Sequence, residues 1–450
     1  MTALRIGTGA GFSGDRIAPA VDLAERGALD VLVFECLAER TIALAQQARL
    51  ADPEAGYDPW LDRRMRAVLP AAARGGTRIV SNMGAANPLA AARRVRTIAR
   101  ELGLAHLRVA AVTGDDVLTR IGDCRLVETG LPANALGERL ISANAYTGAL
   151  PIARALDEGA DVVICGRASD PALFLGPMVH HFGWQMDDWM RLGRGTLIGH
   201  LLECGAQVTG GYFADPGRKD VPDLSAVGFP IAEVDGDGNA IITKLHGTGG
   251  LVSSGTCTEQ LLYELHDPAS YLQPDVAADF SNVTFEEVGP NRVAVRGGDG
   301  RRPTGELKVS VGYRDGWIGE GQIAYAGPNC VARGRLAIEL IDVRLTASHA
   351  TAAQVLERRG ELIGVNAFSR EGPADTARSE VRMRYAARCE TREAAEHVAD
   401  EVEGLYLCGP AGGGGVTRSV REVIAVASAF LPAEEVRTHI SHLEDRHEAA

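Results

Sequence analysis

The feature that most limits how this chain can fold is a rhythm in its first half, where short apolar runs alternate with longer stretches of helical period. Leu4–Gly7, Val31–Phe34, Arg78–Ser81, Leu107–Val112 and Val162–Cys165 are candidate strands, too short for helices and rich in β-branched residues. Between them, Leu89–Leu102 and Pro151–Glu158 carry Ala, Leu and Arg in helical period. Such alternation predicts βαβ units, and hence an α/β fold with a mostly parallel, doubly wound sheet whose ligands collect at the carboxyl ends of the strands.

Glycine, asparagine and aspartate cluster where those ends fall. GTGAGFSGD follows the first candidate strand, SNMGAANP the third, TGDD the fourth and GRASDP the fifth. Four polar loops on one edge would converge on one crevice. From about residue 213 the pattern becomes two-residue alternation, with DGDGN (Asp235–Asn239) between Ile231–Val234 and Ala240–Thr243, and with PNR (Pro290–Arg292) and RDG (Arg314–Gly316) as further turns. An antiparallel, β-rich region is expected there. Beyond it we expect strands at Val381–Cys389 and Leu405–Cys408, a helix from Thr391, a helix at Val420–Phe430 and a strand at Val436–Ile440. The expected division is a doubly wound domain over 1–212, a β-rich domain with hairpins over 213–345, and a small ferredoxin-like α/β module over 346–450.

The formal net charge of -13 opposes binding to phosphate backbones and anionic membranes, so the expected partner is a small anionic metabolite rather than nucleic acid or membrane. The N-terminus lacks the basic start and apolar core of a signal peptide, and no apolar run approaches the roughly 20 residues of a membrane span. The eight cysteines form no C-x-x-C pair, which suits free thiols in a reducing compartment better than a zinc cluster, so a cytoplasmic location and no metal are expected. Only three of the 46 basic residues are lysines: Lys219, Lys244 and Lys308. An ammonium can lose its proton where a guanidinium cannot, which singles these positions out. A homo-oligomer is the expectation for a metabolic enzyme of this size.

Several phrases, in this order along the chain, resemble the acyclic terpene utilisation (AtuA) family: GYDPW, VSNMGAANP, VAAVTGDD, SANAYTGALPI, EGADVVICGRASDPA, GHLLECGAQVTGGYF, GFPIAEV and KLHGTGGLVSSGTCTEQLLYE. The resemblance implies a role in degrading acyclic terpenoids or related branched carboxylic acids, handled as coenzyme A thioesters, with a lyase or hydratase step. The segment CGPAGGGGVTRS resembles the shorter branch of the family, without the additional C-terminal module of its larger members.

Several residues could carry chemistry. His200, Glu203 and Cys204 fall at i, i+3 and i+4 of a helical segment, so that His200 and Glu203 could form an acid–base pair or simply a satisfied core hydrogen bond. Arg167 and Asp170 follow the strand ADVVIC, where an arginine fork suits a carboxylate or phosphate; Asp170 could orient it, act as a base, or cap the next helix. Asn82, Asn87, Asn144 and Tyr146 lie in loops and read either as substrate hydrogen-bonders or as turn residues. Lys244 is the preferred cation for a thioester oxygen or carboxylate, with His246 on the same side. Thr248, Gly249 and Gly250 beyond it could cradle an anion at a helix start. Gly412, Gly413 and Gly414 could form a phosphate or coenzyme A pocket before a helix, or a surface loop. Lys308 reads as a solvated strand face, and His180, His181 and Trp184 as a helix end.

Gly9, Gly11 and Gly14 fit the dinucleotide fingerprint, with Glu35 ending the next strand at the required distance; Asp15 and Arg16 crowd the place of the pyrophosphate. Three functions follow. The first is a lyase or hydratase on a small carboxylate or its coenzyme A thioester, with His200, Glu203, Lys244 and Asp170 in catalysis. The second is a nicotinamide-dependent oxidoreductase, and the third a non-catalytic ligand-binding subunit.

Overall fold

The computed structural model describes residues 3–368 and 378–443. Its contacts divide the chain into two compact units, residues up to Gly312 together with those from Val426, and Tyr313–Ala425. The strands are β1 Leu4–Ala10, β2 Val31–Phe34, β3 Arg78–Ser81, β4 Val109–Thr113, β5 Leu140–Ala145 and β6 Val162–Cys165. There follow β7 Pro230–Val234, β8 Ala240–Lys244, β9 Tyr271–Leu272, β10 Ala277–Asp279, β11 Thr284–Gly289, β12 Arg292–Arg296 and β13 Asp299–Arg301. Last come β14 Glu306–Ala326, β15 Val355–Ile363, β16 Glu380–Cys389, β17 Gly413–Pro432 and β18 His439–His442.

In the first unit ten strands form one sheet in the order β11-β12-β8-β7-β1-β2-β3-β6-β4-β18. The central five run parallel, and their carboxyl ends are level: Ala10 faces Phe34, Phe34 faces Ser81, Ser81 faces Ile164, and Val112 faces Cys165. Alternate residues of each strand point to opposite faces. Val31 and Val33 pack with helices Ala172–Phe182 and Trp189–Glu203, while Leu32 and Phe34 pack with helices Leu61–Gly75 and Pro88–Glu101. The sheet is therefore parallel and doubly wound at its centre. The hairpin β7–β8 and the pair β11–β12 extend this sheet antiparallel beyond β1, and β18 closes the far edge against β4.

In the second unit the strands run β15-β16-β14-β17, with a helix at Cys330–Ala347 after β14 and another at Arg392–Glu403 after β16. This is the β-α-β-β-α-β order of a ferredoxin-like unit. Ile323, Tyr325, Ile341, Met383, Tyr385, Val398 and Val402 form its core.

Three expectations of local structure are corrected. Leu405–Cys408 is a short helix, because Gly404 keeps helical angles (φ -58°, ψ -20°) and passes the preceding helix on to buried Leu405. Val420–Phe430 lies within β17, where Ala427, Ala429 and Leu431 are buried on alternate positions, as in a strand and not a helix. Arg314–Gly316 makes no hairpin: Gly316, at φ +83°, lies within β14, which runs on through it. No helix among the described residues is long and apolar enough to cross a membrane.

Candidate active site

The residues just past the level ends of β2, β3 and β6 are Glu35, Asn82 and Arg167, and they form one buried network. Asn82 Nδ2 donates to Glu35 Oε1 at 3.0 Å, and the Leu37 N–H donates to the same oxygen at 2.8 Å. The Arg167 guanidinium, 1% exposed, donates to the Leu37 carbonyl and to Asp170, and lies over the Tyr146 ring with Cζ 4.1 Å from its centroid. Asp115, in the loop after β4, accepts from the Arg167 N–H and from Asn144 Nδ2, both at 2.9 Å. Burial raises the pKa of Glu35 to about 8, with the negative charge of Asp170 adding to the effect. Burial likewise raises that of Asp115 to about 6.

Above this network lies a cleft of about 420 Å³, lined entirely by the first unit. Tyr146, Asp170, Glu39, Lys308, Tyr271 and Gln273 are among the residues that line it. The Tyr146 hydroxyl donates to Glu39 Oε1 at 2.5 Å, and Lys308 Nζ reaches the same oxygen at 3.1 Å. Burial of Glu39 works against its charge, but the Tyr146 hydroxyl and Lys308 outweigh it and hold the pKa near 2.

Behind Tyr271 stands the helical pair. The Tyr271 ring centroid is 5.1 Å from that of His200, whose Nδ1 is 2.8 Å from Glu203 Oε1 and whose Nε2 is 3.0 Å from the Leu261 carbonyl. A carbonyl only accepts, so Nε2 carries a proton and donates to it. Nδ1 and Oε1 then share one further proton, as imidazolium with carboxylate or as imidazole with carboxylic acid. Glu203 Oε2 is buried without a partner. Burial raises the Glu203 pKa to about 7, His200 opposes the rise, and the negative charges of Asp170 and Glu264 add to it. Those two charges act on Tyr271 as well, so Glu203, Asp170, Glu264 and Tyr271 share one electrostatic environment.

The sequence matches the family described as "Acyclic terpene utilisation family protein AtuA" over residues 4–442. The chain belongs to the AtuA family. No curated protein and no solved structure matches it.

Within this AtuA family chain the structure places His200, Glu203, Arg167, Asp170, Asn82, Asn144 and Tyr146 in or beside this network and cleft, and it gives most of the other expected residues partners of their own. Asp170 does not cap the helix Ala172–Phe182, whose N-cap is Pro171; it receives Arg167 instead. Asn87 caps the helix Pro88–Glu101 and donates to the Pro53 and Ala55 carbonyls, a structural role. Lys244 turns back on its own loop, with Nζ donating to the Thr248 carbonyl at 2.7 Å. The N–H groups of Thr248, Gly249 and Gly250 donate to the carbonyls of Leu245, Ala226 and Pro222, which leaves them no anion to cradle. A Cβ on Gly249 would lie 1.8 Å from the Asp223 carbonyl oxygen, so this glycine serves close backbone packing.

The dinucleotide fingerprint fares similarly. Gly9 lies inside β1, the Gly11 N–H donates to Asp15 Oδ2 at 2.9 Å, and the next helix starts only at Ala18, past Gly14. The Arg16 N–H donates to Asp15 Oδ1, so a carboxylate of the chain already takes the donors a pyrophosphate would need. Gly412, Gly413 and Gly414 lead into β17 and not into a helix, which removes the helix N-terminus on which a phosphate pocket there would depend. Among the described residues no group of three or more His, Cys, Asp or Glu side chains is placed to hold a metal ion.

Five residues escaped the sequence reading. Glu39, Tyr271 and Gln273 sit in segments without a motif, and Glu264 closes the KLHGTGGLVSSGTCTEQLLYE phrase without a feature that singles it out. Arg64, wholly buried, donates to the Phe12, Ser13 and Asp15 carbonyls and so shapes the first glycine loop. Lys308, expected on a solvated face, lines the cleft. The rarity of lysine was the one signal that could have found it.

Proposed function

We propose that this AtuA family protein is a catabolic enzyme of acyclic terpene utilisation, a lyase or hydratase acting on a small branched carboxylic acid or its coenzyme A thioester. The observation that carries the reading is the buried His200–Glu203 pair beside the cleft wall, with Oε2 unpartnered and a carboxyl pKa near 7. With the shared proton on His200, Glu203 is a base poised at the working pH. It takes a proton from the carbon next to the substrate carbonyl. The C–H electron pair becomes a double bond, and the group on the next carbon leaves with its own pair. In reverse, Glu203 takes a proton from a water molecule as its hydroxide adds to the far carbon, and gives that proton to the near one.

A nicotinamide reading has little support from a glycine loop whose donors are already taken by Asp15. The test is turnover of a branched enoyl thioester, followed by loss of its ultraviolet absorbance. Glu203→Gln and His200→Ala should lose about 100-fold or more, the usual worth of a positioned acid–base group, while remaining folded. Folded variants with full turnover would refute the assignment. Tight binding of an acyl thioester with no conversion by the unaltered protein would make the chain a ligand-binding subunit instead.

A further inference from the structure

The cleft has a charge pattern that distinguishes between the two substrate forms. Its lining carries four carboxyl side chains, Glu39, Asp170, Glu264 and Glu306, and the ammonium of Lys308 is the only cation among the described lining residues. Arg167 does not serve as a second one, because it is 1% exposed and lies outside the cleft lining, bound to Leu37 and Asp170. Lys308 Nζ spends one N–H on Glu39 and has two more to donate. At the cleft, Leu272 and Phe430 expose large apolar side chains, 56% and 49% accessible.

We infer that the cleft selects a thioester carbonyl over a free carboxylate, with Lys308 donating to the carbonyl oxygen, Glu39 and Tyr146 positioning that ammonium, and Leu272 and Phe430 receiving the branched acyl chain. A free carboxylate would bring one more negative charge against a wall already rich in them, whereas the carbonyl end of a thioester brings none. The carbonyl needs a single strong donor, and it needs it most as negative charge builds on its oxygen after deprotonation of the neighbouring carbon. A lysine suits this role better than an arginine. Its compact ammonium donates in three directions from one point, here to Glu39 and to a ligand at once, where a guanidinium holds its donors in one fixed plane. This rests on the reading of the cleft as the substrate site.

Three probes separate the terms: the N-acetylcysteamine thioester of 3-methylbut-2-enoic acid, the free acid, and the matching thioether without the carbonyl. Calorimetry of the whole protein near pH 7 should show the thioester binding at least about tenfold more tightly than either other probe, the worth of one charge-assisted hydrogen bond. Lys308→Met should bring the thioester down to the level of the thioether and leave the thioether unchanged. Lys308→Gln, which keeps a polar group toward Glu39, reads the same loss should Met be poorly tolerated. Lys244→Met should change nothing. The inference is overturned if the acid binds as tightly as the thioester, if the Lys308 variants keep the thioester preference, or if the unaltered protein binds no probe. The measurement needs no turnover. Lys308-dependent thioester binding without Glu203-dependent chemistry would therefore count against the reaction alone.

Discussion

The Arg167 guanidinium lies over the Tyr146 ring, Cζ 4.1 Å from its centroid, while its two terminal nitrogens donate to the Leu37 carbonyl and the Asp170 carboxylate. One side chain thereby ties together the segments that follow β2, β5 and β6. It acts as a strut under the cleft floor, and the cation that lines the cleft is Lys308.

Removing that strut should cost stability before it costs affinity. Arg167→Ala leaves Asp170 and a buried carbonyl without their partner, and a loss of about 3 kcal/mol is expected, the lower end for a broken buried ion pair because Asp170 is 36% exposed. Arg167→Lys should recover only part, since an ammonium cannot reach two acceptors and stack on a ring together. Urea unfolding measures both, and an Arg167→Ala protein as stable as the parent would contradict the strut.

Glu35 makes a prediction about pH. Its folded pKa of about 8 lies above the ordinary 4.5, so the native state holds this proton more tightly than the unfolded chain does. Its contribution is whole below pH 4.5 and drains away as pH rises toward about 8. Glu35→Gln keeps an oxygen to accept from Leu37 and Asn82 and cannot ionise. Melting temperatures taken across that window should fall less for the variant than for the parent, and parallel curves would show that Glu35 titrates normally.

Under the proposed chemistry, Glu203 should govern rate in the opposite direction. As a base it works only when deprotonated, so turnover should rise with pH through about 7, its raised value. Replacing Asp170 by Asn removes one of the negative charges that raise it, and the inflection should move to lower pH. A profile flat from pH 5 to 9 in the parent would remove Glu203 from the proton transfer.

Gly249 tests whether the KLHGTGG loop is structural. With the Asp223 carbonyl oxygen 1.8 Å from the place of a Cβ, Gly249→Ala must push the backbone apart, at a cost of about 1–3 kcal/mol or more. Thermal unfolding should show that loss, with thioester affinity unchanged in whatever fraction stays folded. An unaltered melting point with weakened binding would restore the loop as a ligand cradle.

How much of the site could be read from the chain follows from where each residue's partners lie. Arg167, Asp170 and Asn82 were legible because they directly follow β6 and β3, and residues at the ends of parallel strands gather on one edge whatever the details of packing. His200 and Glu203 were legible because their spacing puts them on one helical face. Lys244 was misjudged because no local pattern shows that an ammonium will fold back onto the Thr248 carbonyl four residues on. Lys308 was passed over because it enters the cleft only through the pairing of β5 with β14, which sets the Tyr146 N–H on the Lys308 carbonyl at 2.9 Å. The run Val420–Phe430 misled because alanine and β-branched residues are mixed there, and sheet pairing overrode the helical preference of the alanines.

By itself the sequence determined the doubly wound centre, the edge on which the polar loops meet, the pairing of His200 with Glu203 on one helical face, and the family. All of these rest on spacing along one strand, one helix or one loop, where neighbours in the chain are neighbours in space. Tertiary structure alone decided which cation lines the cleft, which glycines pack closely against backbone, and which carboxyls burial pushes upward. Those properties depend on burial and on acceptors brought from distant segments, and a charge has no fixed chemistry until its partners and its access to water are set.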